Sequence, residues 1–286
     1  MIARRPGGSV NNGGHSTTGL LAGVGTTMAL APLAGVETTV PLLLTGGLVA
    51  AGAALLPDID HDGSTVSRSG GALTALLASG AQSVSRFAYR ATRTRHDLPG
   101  DGAHRYLTHT PVAALAVGLV VGLAQHLTHW VIVGVLLLCL TASVRSLSYA
   151  LPRGVRQVTR AHRRLWSAGY AIVLTVVLVR TGATDGMGWP LGAVVAVGML
   201  VHVAGDAVTE YGVPMAWPLR LRCPSRACRR PARSGRRRRC PGRRWHRLHL
   251  LPRRLRFRTG SRVEKAVQAV SLLGTGGLLL AVGLTG

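Results

Sequence analysis

Aromatic side chains are scarce in this chain, with five Trp, five Tyr and two Phe among 286 residues. A soluble domain of that length draws on large aromatics to fill its core, so this chain packs by some other means. Acids are also few, ten against 34 basic residues, of which a single one is Lys. There is no Gly-x-Ser-x-Gly stretch and no cysteine-centred nucleophile pattern, which disfavours serine and thiol hydrolysis. There is no Gly-rich loop ending in Lys-Ser or Lys-Thr, which disfavours nucleotide-driven chemistry. The four cysteines do not make a disulfide framework: Cys139 falls inside an apolar run, and Cys223, Cys228 and Cys240 fall in a segment expected to face a reducing cytosol. Arg4 and Arg5 precede an apolar run without a convincing small-residue cleavage site, so that run reads as a retained span rather than a secretory signal.

What the chain does have is 47% hydrophobic residues, 37 glycines and a positive mean hydropathy of +0.28 despite its basic residues. Polarity is therefore segregated, with apolar runs alternating with basic loops, as in membrane proteins. Seven runs qualify as candidate spans: 20–36, 40–56, 111–127, 130–144, 166–179, 189–205 and 267–284. Several are short of the roughly 20 residues a spanning helix needs. The runs at 130–144 and 166–179 read equally as buried or re-entrant segments. Their Gly and Ala content suits close helix contact in lipid and would be a poor choice for helices in water. The expected fold is all-α, a polytopic bundle of about seven transmembrane helices, five at the fewest.

The arginines orient it. The N-terminal tail and the loops 57–110, 145–165 and 206–266 hold 33 of the 34 Lys and Arg, and the connections on the other side hold one. Positive charge stays cytoplasmic. The expectation is a multi-pass protein of a bacterial inner membrane, N-terminus inside and C-terminus outside. A membrane domain would fill 1–218, a basic disordered loop 219–258, and a last spanning helix 259–286.

On this topology the polar residues collect at one face. His15 precedes the first span. Asp58, Asp60 and His61, in "LLPDIDH", follow the second. His104 and His109, in "HRYLTH", precede the third, where Thr110-Pro111 reads as a cap and first turn. His202 and Asp206, in "HVAGD", are four apart at the end of the sixth and share a helical face. Mixed imidazole and carboxylate donors suit Zn²⁺, Mn²⁺ or Fe²⁺ better than Ca²⁺ or Mg²⁺. Eight candidates exceed one tetrahedral shell, so they fit two ions, or one ion with outer partners and a general base.

Four stretches in order, "GGHSTTG", "LLPDIDH", "HRYLTHT" and "HVAGDAVTEYGVPMAWPL", resemble the YdjM-like family of bacterial membrane-bound, metal-dependent hydrolases, with a weaker echo in "LRFRTGSRVEKAV". The resemblance covers roughly residues 13–62, 103–127 and 190–219. It implies an integral membrane protein with a divalent metal site, Zn or Mn foremost, drawn from His15, Asp60, His61, His104, His109, His202 and Asp206. Asp58 and Asp60 are the candidates for catalysis or ion bridging. The reaction expected is hydrolysis of a phosphoester or other lipid-like substrate by metal-activated water, with Arg68 and Arg105 as anion contacts. Two rivals stand beside it: a metal or proton transporter, which would place its ionisable residues near the bilayer midplane, and a structural protein whose closed ion pins helices together.

One segment departs from the family pattern. From position 219 to 247 there are 13 Arg and no acid. It reads as a disordered basic insertion lying on anionic lipid headgroups, as a nucleic-acid tail without the aromatics of a specific reader, or as GC-rich codons translated out of frame. A zinc knuckle from Cys223, Cys228, Cys240, His246 and His249 lacks a Cys-x-x-Cys unit and is the weakest alternative.

Overall fold

The computed structural model describes residues 12–285 apart from 70, 98, 148–162, 223–241 and 258–259. Cys223, Cys228 and Cys240 lie outside the described residues, so the knuckle reading has no structural counterpart. Among the described residues there are eight α-helices and no extended strand, only three isolated bridges. They are α1 (Asn12–Leu30), α2 (Val40–Ala53), α3 (Ala72–Thr92), α4 (Pro111–Ala124), α5 (Trp130–Leu147), α6 (Arg163–Arg180), α7 (Gly188–Ala207) and α8 (Arg262–Thr285).

All seven apolar runs are helical. Four helical stretches are long and apolar enough to cross a membrane: Val40–Asp60, Trp130–Leu147, Gly188–Ala207 and Arg262–Leu284. Pro111–Ala124 and Leu165–Arg180 are apolar but shorter. The expected number of seven spans is therefore not established. Two boundaries differ in ways that matter. The first helix begins at Asn12, eight residues earlier than the apolar run, and in its first turns Thr17 and Thr18 return their hydroxyls to the carbonyls of Gly13 and Gly14 at 2.9 and 2.8 Å. His15 thus sits in the first turn of α1 rather than ahead of it. The region 57–110, expected as a loop, contains the 21-residue helix α3.

At the centre is α2, which packs on α1, α5 and α7, while α4 packs on α7, α6 on α5, and α8 on α1. Glycine makes these contacts close. A Cβ on Gly19 would meet the Ala50 carbonyl oxygen at 2.8 Å, and one on Gly198 the same oxygen from α7 at 2.5 Å. A Cβ on Gly52 would run into the backbone of Cys139 in α5, and Gly118 and Gly192 stand face to face between α4 and α7. The core between them is Val49, Ala50, Ala53, Leu136, Leu140, Leu191 and Val195, with Met187 and Met199. This is how the chain manages with few aromatics: backbones approach and aliphatic side chains fill the remainder. The helix α8 lies at the edge, with most of its surface uncovered.

Four of the scarce aromatics gather in one clasp. Trp217 and Trp245 stack at 5.2 Å, and Tyr89 and Tyr106 pack edge-on against Trp245. Both indole N–H groups donate to Thr92 Oγ1, at 3.4 and 3.1 Å. Asp97 Oδ1 accepts from the backbone N–H of Arg244 and of Trp245, both at 3.0 Å. Leu221 and Arg243 exchange both backbone hydrogen bonds at 2.8 Å. The described end of the basic segment is thus folded back onto α3, with Trp245 buried.

Candidate metal centre

Four elements deliver the site. Pro57 ends α2 in a 3-10 turn, Leu56–Asp60, which turns Asp58 and Asp60 inward and buries both. A second turn, Leu107–His109, precedes α4, where Thr110 accepts from Ala113 N at 3.1 Å as the sequence predicts. His202 and Asp206 lie on successive turns of α7, and His15 on α1 lays its ring on that of His202 at 4.1 Å.

At the centre four donor atoms face one another. His109 Nε2 is 3.3 Å from Asp58 Oδ1, 3.3 Å from His202 Nε2 and 3.7 Å from Asp206 Oδ2. His202 Nε2 is 3.7 Å from Asp58 Oδ1 and 3.8 Å from Asp206 Oδ2. Donors bonded at about 2.0–2.1 Å to a tetrahedral ion stand about 3.3–3.4 Å apart, so a slight contraction would close these atoms around one ion.

The proton inventory points the same way. His202 Nδ1 is 2.7 Å from the Ala54 carbonyl, which can only accept; the ring N–H is therefore on Nδ1, and Nε2 presents a lone pair. Thr108 donates its hydroxyl to Asp60 Oδ2 at 2.5 Å, so its oxygen is left to accept from His109 Nδ1 at 3.1 Å. In the neutral ring His109 Nε2 then also presents a lone pair. Asp58 Oδ1 is buried and makes no hydrogen bond; Asp206 Oδ2, also buried, has the Arg105 guanidinium 3.2 Å away as its charged partner. The Arg105 guanidinium offsets one carboxylate only; two imidazole lone pairs and the Asp58 oxygen facing one another in a buried space still repel unless a proton or a metal cation lies between them. The donor set fits a divalent metal.

The four atoms are drawn from two separate groups suited to an ion, His15 with His202 and Asp206, and Asp58 with His104 and His109, which share no residue. His15 Nε2 is 3.6 Å from Asp206 Oδ1. Asp60 does not face the centre. Its Oδ1 takes His104 Nδ1 at 2.7 Å, and its Oδ2 takes Thr108 and, at 3.2 Å, the backbone N–H of Arg105. It braces His109 through Thr108, the kind of outer support that metal-bound imidazoles commonly have. His61 lies outside both groups; it is exposed, with its Nδ1 accepting from Gly63 N at 2.9 Å. Arg68 is exposed and donates to the Asp62 carbonyl at 2.9 Å. Arg105 is buried, its guanidinium 3.2 Å from Asp206 Oδ2 and over the ring of Tyr211. It holds φ at +61°, a region costly for a side-chain-bearing residue, and these contacts keep it there. Thr108 and Tyr211 were not singled out by sequence, since neither is a metal donor and only the folded turn shows what they touch.

A family model described as the YdjM inner membrane protein matches residues 12–252. The chain belongs to that family. No curated protein and no solved structure matches it. Membership accords with the apolar helices, and the matched YdjM region contains every residue of the centre.

In this YdjM chain His109 is raised above the ordinary imidazole range. Burial alone would lower it, but the Asp58 carboxylate beside its Nε2 and the charges of Asp60 and Asp206 outweigh that effect. Without metal, the stability this gives is complete below the unfolded value of 6.5 and is lost as pH rises through the folded one. An ion must displace that proton, so its stabilising effect grows as the proton leaves. Thermal unfolding in detergent, with chelator and with metal, is expected to show a gap in Tm that widens from about pH 6 to about pH 8. A gap independent of pH would contradict this assignment.

Proposed function

We propose that the centre holds one or two divalent ions, Zn²⁺ or Mn²⁺, and that the protein is a membrane-bound hydrolase of a phosphoester or other lipid-like substrate. The observation that carries this is the buried Asp58 Oδ1, which has no hydrogen bond and faces two imidazole lone pairs beside the Asp206 carboxylate. A bound ion supplies Lewis acidity and lowers the pKa of a coordinated water. The residues supply the rest. His104 is 34% exposed at the side chain and has Nδ1 fixed on Asp60 Oδ1, an arrangement suited to taking a proton on its other nitrogen. This reading moves the general base from Asp60 or Asp58 to His104, with Asp60 orienting it.

An adjoining cavity of about 200 Å³ supports a lipid-like substrate. It is lined by His15 and Thr18 of α1, Val208 beyond α7, Leu251, Phe257 and Val267, mostly apolar side chains next to the centre. The arginine partition supports placing this end of the bundle at the cytoplasmic headgroups, with the segment 219–258 against anionic lipid.

One observation favours a structural ion instead: His109 and His202 are wholly buried, as the ligands of a closed site would be. Detergent-purified protein, supplied with Zn²⁺ or Mn²⁺ and assayed on a chromogenic phosphodiester and on phospholipid vesicles, separates the readings. Product release that is lost in His104→Gln, with metal content unchanged, supports hydrolysis. Bound metal without turnover on any substrate favours the structural ion. A protein that retains neither metal removes both readings.

A further inference from the structure

The helix α3 is amphipathic in an unusual sense, because its apolar side faces outward. Thr74, Ala78, Ser85 and Tyr89 are its buried positions, and three of these four are small. Leu73, Leu76, Leu77, Val84 and Phe87 are exposed, Leu76 by 69% and Phe87 by 73%. At about 100° per residue these five fall in one stripe roughly 100° wide. Arg86 and Arg90 fall beside it, with Ser79, Gln82 and Ser83. The helix thus has a protein face, a polar basic face and an unpartnered apolar face. It is 21 residues long but is not among the helices apolar enough to span. Apart from the clasp at its C-terminal end, it packs on the turns Leu56–Asp60 and Leu107–His109, at the ends of α2 and α4, so it lies at the end of the bundle.

We propose that α3 lies in the plane of the membrane, its stripe sunk at the boundary between headgroups and acyl chains and its arginines on anionic phospholipid headgroups. Two features select the bilayer over another occupant. The helix is tethered on both sides to helices of the membrane bundle, so it is held at the interface. The basic flank also complements anionic lipid, as in other in-plane amphipathic helices. Engaged this way, α3 fixes the depth of the two turns that carry Asp58, Asp60 and His109. The inference stands whether or not the centre is catalytic.

The test is spin-label accessibility on the full chain in vesicles of equal parts phosphatidylcholine and phosphatidylglycerol. Cys223, Cys228 and Cys240 are replaced by Ser; Cys139 is buried and stays unlabelled. Single labels are placed at Leu76, Ser79 and Phe87. The expected result is high oxygen and low nickel-chelate accessibility at Leu76 and Phe87, about 5–10 Å below the phosphates, and the reverse at Ser79. A further pair, Leu73→Ser and Leu77→Ser together, should shift the label at Leu76 toward water while size-exclusion behaviour and metal content stay as in the parent. Nickel access at all three sites would overturn the proposal. So would a depth that changes steadily along the helix, which is the mark of a span. So would broadening at Leu76 that disappears on dilution with unlabelled protein, which would place a second copy on the stripe.

Discussion

Purified His202→Ala protein is expected to lose its metal, with affinity reduced by more than the roughly 10–100-fold that loss of an outer-shell partner costs. The substitution removes one of four inward-facing donors and leaves Asp58 Oδ1 and Asp206 Oδ2 facing His109 alone of the two imidazoles. Asp206→Ala combined with it should leave no measurable stoichiometric ion by elemental mass spectrometry. His15→Ala is the contrast: His15 flanks the centre through Asp206 Oδ1, so it should weaken binding less. Wild-type protein that carries no ion even after exposure to Zn²⁺ or Mn²⁺ would remove the metal centre altogether. Equal loss in His15→Ala and His202→Ala would instead move the ion to the α1 side of the site.

Gly52→Val should abolish folded, monodisperse protein. At that position α2 meets α5 backbone to backbone, and a side chain would enter the space of the Cys139 carbonyl. Overpacking a core commonly costs about 1–3 kcal/mol where side chains can shift, and here the obstacle is main chain that no rotamer change relieves. The displacement would also reach α7, which rests on the same helix through Gly198 and Ala50. Gly25→Ala, in α1 with nothing within 4 Å of the new methyl, is the control. It should be neutral, or stabilise by some tenths of a kcal/mol through helix propensity. Size exclusion and thermal unfolding in one detergent would separate them. A well-folded Gly52→Val protein would show that α2 and α5 can part without cost.

The sequence made the apolar runs and their polar termini visible, because hydrophobic length and charged residues at helix ends leave marks in the letters alone. It brought His15, Asp58, His109, His202 and Asp206 to one face, and the structure brings those five together. It did not separate Asp58, which faces the centre, from Asp60, which supports it. Two residues apart on a turn, they differ only in the direction that Pro57 and the neighbouring turn impose. His61 looks equivalent to both in sequence but lies exposed at the rim, its ring edge-on to His104 at 4.8 Å. The helix α3 was hidden because its stripe is short in apolar residues and interrupted by Ser and Arg, so it resembles a loop when hydropathy is averaged along the chain. Arg105 reads in the sequence as an anion contact, and only the fold shows its guanidinium against Asp206.

The aromatic clasp has a consequence for the length of the chain. Leu221 and Arg243 are joined by paired backbone hydrogen bonds, and Trp217 and Trp245 are stacked just outside them. The polypeptide therefore departs from and returns to one stitched point, and whatever lies between positions 222 and 243 closes a ring whose ends are already fixed. Doubling the length of such a ring costs only about 0.6 kcal/mol in closure entropy. Insertions, deletions or a tag placed there should leave the clasp, and the turn behind Tyr106 that holds His109, where they are.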